Sequence, residues 1–151
     1  MPFPDRTDSD PDGTGPTTDG APALDAPVRV LVADDEEDIR LLVCVAVRKA
    51  GCTVVAAVAD GAQALLAARA ERPDLLVLDV SMPEASGLEV CEQLRADPAT
   101  AGARVLLLSA GASPDDIARG LAAGADAYLP KPFTVAGLVA QVRTLTVGAR
   151  A

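Results

Sequence analysis

No histidine occurs among the 151 residues, which removes the commonest general base, the commonest zinc ligand and any phosphohistidine carrier. A Ser-His-Asp triad is excluded with it. Tryptophan is also absent and aromatics make up 2% of the chain, so a core must come from Val, Leu and Ala. No aromatic platform is available for stacking single-stranded nucleic acid. Basic residues are outnumbered, 13 Lys plus Arg against 22 Asp plus Glu, and the net charge of -9 repels phosphate backbones and anionic lipid. Direct nucleic-acid binding is therefore disfavoured. No apolar run approaches the roughly 18 residues of a membrane span, and the start, Met1-Pro2-Phe3-Pro4-Asp5-Arg6, lacks the basic and apolar regions of a signal peptide. No membrane association is expected, and the chain reads as cytoplasmic. Cys44, Cys52 and Cys91 are an odd set without CxxC spacing, each in an apolar stretch, as expected of small buried hydrophobes in a reducing compartment.

What is present is 50% hydrophobic content in a length that buries roughly 68–70% of its unfolded surface as one domain. Residues 1–27 hold six of the twelve prolines, three glycines and six Asp against one Arg, a composition that reads as a disordered acidic tail. That segment carries -5 of the charge and leaves -4 on the remainder. A domain is expected over residues 28–147, followed by a short end at 148–151. Within it, the runs Val28 to Ala33, Thr53 to Val58, Leu75 to Asp79, Val105 to Ser109 and Ala127 to Leu129 are candidate strands. Most are apolar almost throughout, as strands of a parallel sheet covered on both faces must be. Between them, Glu36 to Ala50, Ala62 to Glu71, Leu88 to Arg95, Pro114 to Ala123 and Thr134 to Thr146 carry apolar residues at helical spacing. Gly51 and Gly124 stand where helices end, and Ser113-Pro114-Asp115-Asp116 is a helix start with an N-cap hydroxyl, Pro at the first position and acids in the first turn. Five βα units in a doubly wound α/β domain are expected.

Ligands of such sheets bind outside the carboxyl ends of the strands. There the sequence places Asp34 and Asp35 after the first strand, Asp79 ending the third, Ser109 ending the fourth and Lys131 just past the fifth. Three carboxylates without a counterion would repel one another and raise at least one pKa. A divalent cation resolves that conflict, and an oxygen-only set that leaves room for water and phosphate suits Mg²⁺ better than Ca²⁺. A metal, a lysine, a hydroxyl donor and a carboxylate able to act as nucleophile fit phosphoryl transfer, with Asp79 as the best nucleophile.

The ordered set Val30-Leu31-Val32-Ala33-Asp34-Asp35-Glu36, Asp74-Leu75-Leu76-Val77-Leu78-Asp79-Val80-Ser81-Met82-Pro83, Gly87, Val105-Leu106-Leu107-Leu108-Ser109-Ala110 and Tyr128-Leu129-Pro130-Lys131-Pro132-Phe133 resembles the receiver domain of bacterial two-component response regulators. The resemblance spans about residues 28 to 147. It implies a flavodoxin-like fold, a five-stranded doubly wound parallel sheet of order 2-1-3-4-5 with five helices; that order comes from the family and not from these residues. It makes Asp79 the phospho-acceptor, Asp35 and Asp79 direct Mg²⁺ ligands, Asp34 a largely water-mediated one and the Ser81 carbonyl a backbone ligand. Lys131 would contact the phosphoryl oxygens, and the Lys131-Pro132 bond would be cis. Ser109 would hydrogen-bond the phosphoryl group, and its inward movement would make room for Tyr128 to turn from an exposed to a buried rotamer. Small residues at Ser81 and Gly111 would leave room for attacking water and shorten the phosphoryl lifetime.

With no residues left for an output domain, the chain is expected to be a stand-alone receiver that turns over no external substrate and catalyses only its own phosphorylation and dephosphorylation. The implied donor is a histidine kinase or a histidine phosphotransfer protein, and the downstream protein target is not legible. Ile39 and Leu42, three apart on one helical face, with Pro132 and Phe133 nearby, are the candidate donor-docking residues. The largely apolar fifth helix, through Val135, Leu138, Val139, Val142 and Leu145, is a candidate face for a target or a second copy in a homodimer. Two rivals are a divalent-metal phosphohydrolase, whose usual second acid is replaced by Ser81, and a phosphorylation-independent interaction module with the same fold.

Overall fold

The computed structural model describes residues 26–147. The acidic segment read from residues 1–27, Ala26 and Pro27 apart, and the end at 148–151 lie outside the described residues. Strands and helices alternate strictly: β1 Arg29–Ala33, α1 Glu37–Lys49, β2 Thr53–Val58, α2 Gly61–Glu71, β3 Leu75–Asp79, α3 Gly87–Ala96, β4 Arg104–Ser109, α4 Pro114–Ala122, β5 Ala127–Pro130 and α5 Val135–Val147. The five strands form one parallel sheet of order β2-β1-β3-β4-β5, as the resemblance implied.

Period-two alternation within the strands divides the core into two halves. Val30, Val32, Leu75, Val77, Leu106 and Leu108 face one side, where Val43, Cys44, Ala46 and Val47 of α1 and Leu138 and Val142 of α5 cover them. Leu31, Ala33, Leu76, Leu78, Val105 and Leu107 face the other, under Ala64, Leu65 and Ala68 of α2 and Val90, Cys91 and Leu94 of α3. All five residues of β3 are buried, each Leu or Val side chain contributing about 1.5–3 kcal/mol by leaving water. The edge strands β2 and β5 are only partly covered, which is why they read less apolar. All three cysteines are free and buried. Burial raises the Cys44, Cys52 and Cys91 thiols, Cys91 to about 11, so little thiolate forms and they act as packing residues.

Helix ends follow the local signals. Ser113 accepts from the Asp116 amide and Ser86 from the Glu89 amide, each closing a capping box. Asp60, preceding α2, accepts from the Gln63 amide and starts that helix at Gly61, one residue before the expected Ala62. Gly51 and Gly124 take φ of +88° and +107° just past α1 and α4, the left-handed conformation that ends a helix without Cβ strain. Leu138 and Val142 of α5 are buried on the α1 side of the sheet, with Val135, Val139 and Leu145 partly buried beside them; those two belong to the core, while Val135 and Val139 border an open cleft with Lys49 and Arg143. The helix reads apolar because it crosses two strands of that face.

Candidate functional site

The strand order reverses at β1 and β3: the chain steps from β1 to β2 on one side and from β3 outwards on the other. Loops after β1 and β3 therefore diverge and leave a crevice at the carboxyl edge. Pairing of Ala33 with Leu78 carries the next residues, Asp34 and Asp79, into adjacent positions above the sheet. Both are buried, with relative exposures of 0% and 3%. Carboxylate oxygens of Asp34, Asp35 and Asp79 lie within 4.8 Å of one another, Asp35 being the exposed member.

Lys131 reaches this cluster from the far edge of the sheet. Its amide donates to the Ser109 carbonyl at 2.7 Å, extending the β4–β5 ladder, and its Nζ lies 3.2 Å from Asp34 Oδ2 and 3.3 Å from Asp79 Oδ1. The following Lys131-Pro132 bond is cis, as the resemblance implied. A third carboxylate, Glu36, is 3.3 Å from the same ammonium. Burial raises the Asp79 carboxyl to about 6, Asp34 adds to the rise, and Lys131 and the Ser81 amide only partly oppose it. Burial works against the Lys131 ammonium, but Asp79 and Asp34 outweigh it and hold that group above its ordinary value.

Asp34 Oδ1 accepts from the Glu36 amide at 2.9 Å. Asp34 Oδ2 is buried without an aligned hydrogen bond, although Lys131 Nζ is close. An unsatisfied buried carboxylate oxygen beside two further carboxylates is the donor set a hard divalent cation completes. The residues present thus fit a magnesium ion: Asp34, Asp35, Asp79 and the backbone carbonyl of Ser81 would hold it.

Asp35, Glu36, Asp79, Ser81, Ala110 and Lys131 line a cleft of about 340 Å³. Ser109, buried at the end of β4, turns its hydroxyl to its own loop, where Oγ accepts from the Gly111 amide at 3.0 Å. Tyr128 stands on β5 with its ring half-buried, and its hydroxyl donates to the Gly111 carbonyl. Gly111 therefore joins Ser109 to Tyr128 through the amide and the carbonyl of a single residue. A Cβ on Gly111 would stand 2.6 Å from the Asp116 carboxylate of α4, so the small residue also makes room for that side chain. Ile39, Leu42, Pro132 and Phe133 come together with Ala110 and Lys131 around an apolar groove of about 450 Å³. It adjoins the cleft, sharing Ala110 and Lys131.

Sequence reasoning missed Glu36 and Arg40. Glu36 lines the cleft and pairs with Lys131, and the Arg40 guanidinium donates to the Asp34 carbonyl at 2.9 Å, steadying the turn into α1. The signal for Glu36 was its place directly after two ligand candidates; Arg40 gave none beyond helical spacing.

Residues 30–143 match the response regulator receiver domain family. Among similar proteins, the transcriptional regulatory protein PrrA of Mycobacterium tuberculosis is 47% identical over 117 residues, 78% of this chain and 49% of that one. The DNA-binding response regulator MtrA of Mycolicibacterium smegmatis is 41% identical over 115 residues, 76% of this chain and 49% of that one. The chain spans about half the length of these curated relatives. Among solved structures, the chemotaxis response regulator CheY4 of Vibrio cholerae matches with a TM-score of 0.74 at 32% identity, covering 80% of this chain and 99% of that one. With the sheet order, the acid cluster and the lysine already in place, these matches show that the chain belongs to the receiver domain family of bacterial two-component response regulators.

Proposed function

We propose that this receiver takes a phosphoryl group onto Asp79 from a histidine kinase or a histidine phosphotransfer protein, and that the resulting switch is read by another protein in the cytoplasm. The observation that carries it is Asp79 at the tip of a fully buried strand, pressed against Asp34, 3.3 Å from the Lys131 ammonium and open to a cleft. A carboxylate in that setting is destabilised by its surroundings and is a better nucleophile than one in water, yet at about 6 its pKa leaves it ionised at neutral pH.

An Asp79 carboxylate oxygen attacks phosphorus, a P–O bond forms, and the P–N bond to the donor imidazole breaks with its electron pair left on the ring nitrogen. The Lys131 ammonium faces the oxygens of the phosphoryl group and offsets the charge gathered there. Ser109 Oγ already accepts from Gly111 and keeps its own hydrogen to donate to the phosphoryl group. A magnesium ion bound by Asp34, Asp35, Asp79 and the Ser81 carbonyl supplies positive charge that neutralises the acid cluster and the incoming phosphate. The chain is both catalyst and substrate and turns over nothing external. MtrA is named a DNA-binding response regulator and PrrA a transcriptional regulatory protein, and this chain spans about half the length of each; for the part read here, with -4 on residues 28–151, the proposed output is a protein contact. The apolar groove at Ile39, Leu42, Pro132 and Phe133 is the proposed seat of the donor protein, because it opens beside the acceptor and shares Lys131 with it.

The test is intact mass after incubation with Mg²⁺ and acetyl phosphate, for wild type and Asp79→Asn together. A labile gain of about 80 Da, one phosphoryl group, is expected in wild type alone. An equal gain in both would move the acceptor elsewhere. No gain from either the small donor or a histidine kinase would leave the fold with a phosphorylation-independent role.

A further inference from the structure

The one position that α4 buries has no side chain. Of its nine residues only Gly120 is buried, whereas α1, α2, α3 and α5 bury Val, Leu, Ala or Cys side chains. Gly120 lies inside the helix without a positive φ, so its backbone conformation does not call for glycine, and glycine is among the poorest residues for a helix interior. Space is what it provides. A Cβ there would stand 2.9 Å and 3.2 Å from Cδ2 and Cε2 of Tyr128 and 3.1 Å from Cδ1 of Leu107. Leu107 is fully buried and pairs with Tyr128 across β4 and β5. The half-buried ring, tethered through its hydroxyl to the Gly111 carbonyl, is the group able to give way.

We propose that Gly120 is the seat of Tyr128: the bare α-carbon lets the ring lie inward under α4, and any side chain at 120 turns it outward and loosens the helix. Gly120 is a positioning residue that acts through Tyr128. Its regulatory consequence, a bias on the switch, rests on the proposed receiver chemistry; the seating itself does not.

Tyr128 is the only tyrosine and the chain has no tryptophan, so tyrosine emission of the intact full-length chain reports on this ring alone. In Gly120→Ala, acrylamide quenching of that emission is expected to rise by about twofold as a half-buried ring becomes fully exposed, with far-UV circular dichroism unchanged. A purely structural role predicts the opposite, because Ala favours the helix: unchanged or reduced quenching and a higher melting temperature, either of which overturns the proposal. Should Gly120→Ala fold poorly, the pair Gly120→Ala in wild type and in Tyr128→Ala decides. The substitution should lower the melting temperature with the ring present and raise it with the ring removed; lowering in both backgrounds places the clash on Leu107 and ends the proposal. Neither readout uses phosphorylation. Absence of the 80 Da gain therefore counts against the receiver chemistry alone, and unchanged quenching with a normal gain counts against the seat alone.

Discussion

Asp79 is poised by being uncomfortable in the folded chain. Its carboxyl titrates at about 6 in place of 3.8, through burial first and Asp34 second, so the folded state binds its proton more tightly than the unfolded state does. This group's contribution to stability is therefore greatest below pH 4, falls as pH rises from about 4 to about 6, and is flat above that. The span of the shift corresponds to on the order of 3 kcal/mol. Metal-free Asp79→Asn, which removes the charge and keeps the shape, is expected to be more stable than wild type at pH 7.5 by on the order of 1–3 kcal/mol. The gap should shrink toward pH 4. Urea unfolding of both proteins at the two pH values checks this, and equal stability at both would show that the charge is not strained. Millimolar Mg²⁺ should narrow the gap, since a ligand of the folded wild-type site adds stability by mass action.

Elements differ in how firmly they are held. α3 combines a capping box with buried Val90, Cys91 and Leu94, and its Arg95 donates to the carbonyls of Ala101, Ala103 and Gly124 while pairing with Asp126 at 2.9 Å. α4 has Ser113, Pro114 and the acids of its first turn at one end and Gly124 at the other, but between them only Gly120 is buried. Its stability comes from its ends more than from its face. Ser113→Ala removes the cap bond to the Asp116 amide and should weaken α4 by about 1 kcal/mol. That is about a fivefold loss of amide protection by hydrogen exchange in α4, with β1 and β3 unchanged. A uniform loss across the domain would mean that α4 opens only when the whole chain unfolds. A helix held this way is suited to respond when the loop that carries Ser109 and Gly111 moves.

At the scale of the whole molecule, the acceptor cleft and the apolar groove share a wall at Ala110 and Lys131. A donor protein seated on Ile39, Leu42, Pro132 and Phe133 would present its phosphohistidine to Asp79 without rearranging the sheet. Ile39→Asp combined with Leu42→Asp is expected to slow transfer from a histidine kinase by tenfold or more, since roughly 1.4 kcal/mol of lost contact suffices. Phosphorylation by acetyl phosphate should be unaffected. Parallel time courses with the two donors check it; equal slowing with both would mean the groove serves the chemistry and not docking. No helix among the described residues is long and apolar enough to cross a membrane.

Local signals were enough for the elements. Leu75-Leu76-Val77-Leu78 could hardly be anything but a strand covered on both faces, and Ser113-Pro114-Asp115-Asp116 marks a helix start by its hydrogen-bonding chemistry alone. Asp34, Asp35, Asp79, Ser109 and Lys131 were legible as strand-end residues because strand ends in a parallel sheet share one rim. Tertiary structure alone decided who meets whom on that rim. Lys131 meets Asp34 and Glu36 from the far end of the chain, and Gly120 receives a ring from β5. Those pairings depend on strand order and register, which are set by the packing of the whole sheet and leave no mark at sequence spacings of three, four or two. The same physics separates Leu138 and Val142 of α5, which the sheet buries in the core, from Ile39 and Leu42, which also stand at helical spacing and line an open groove.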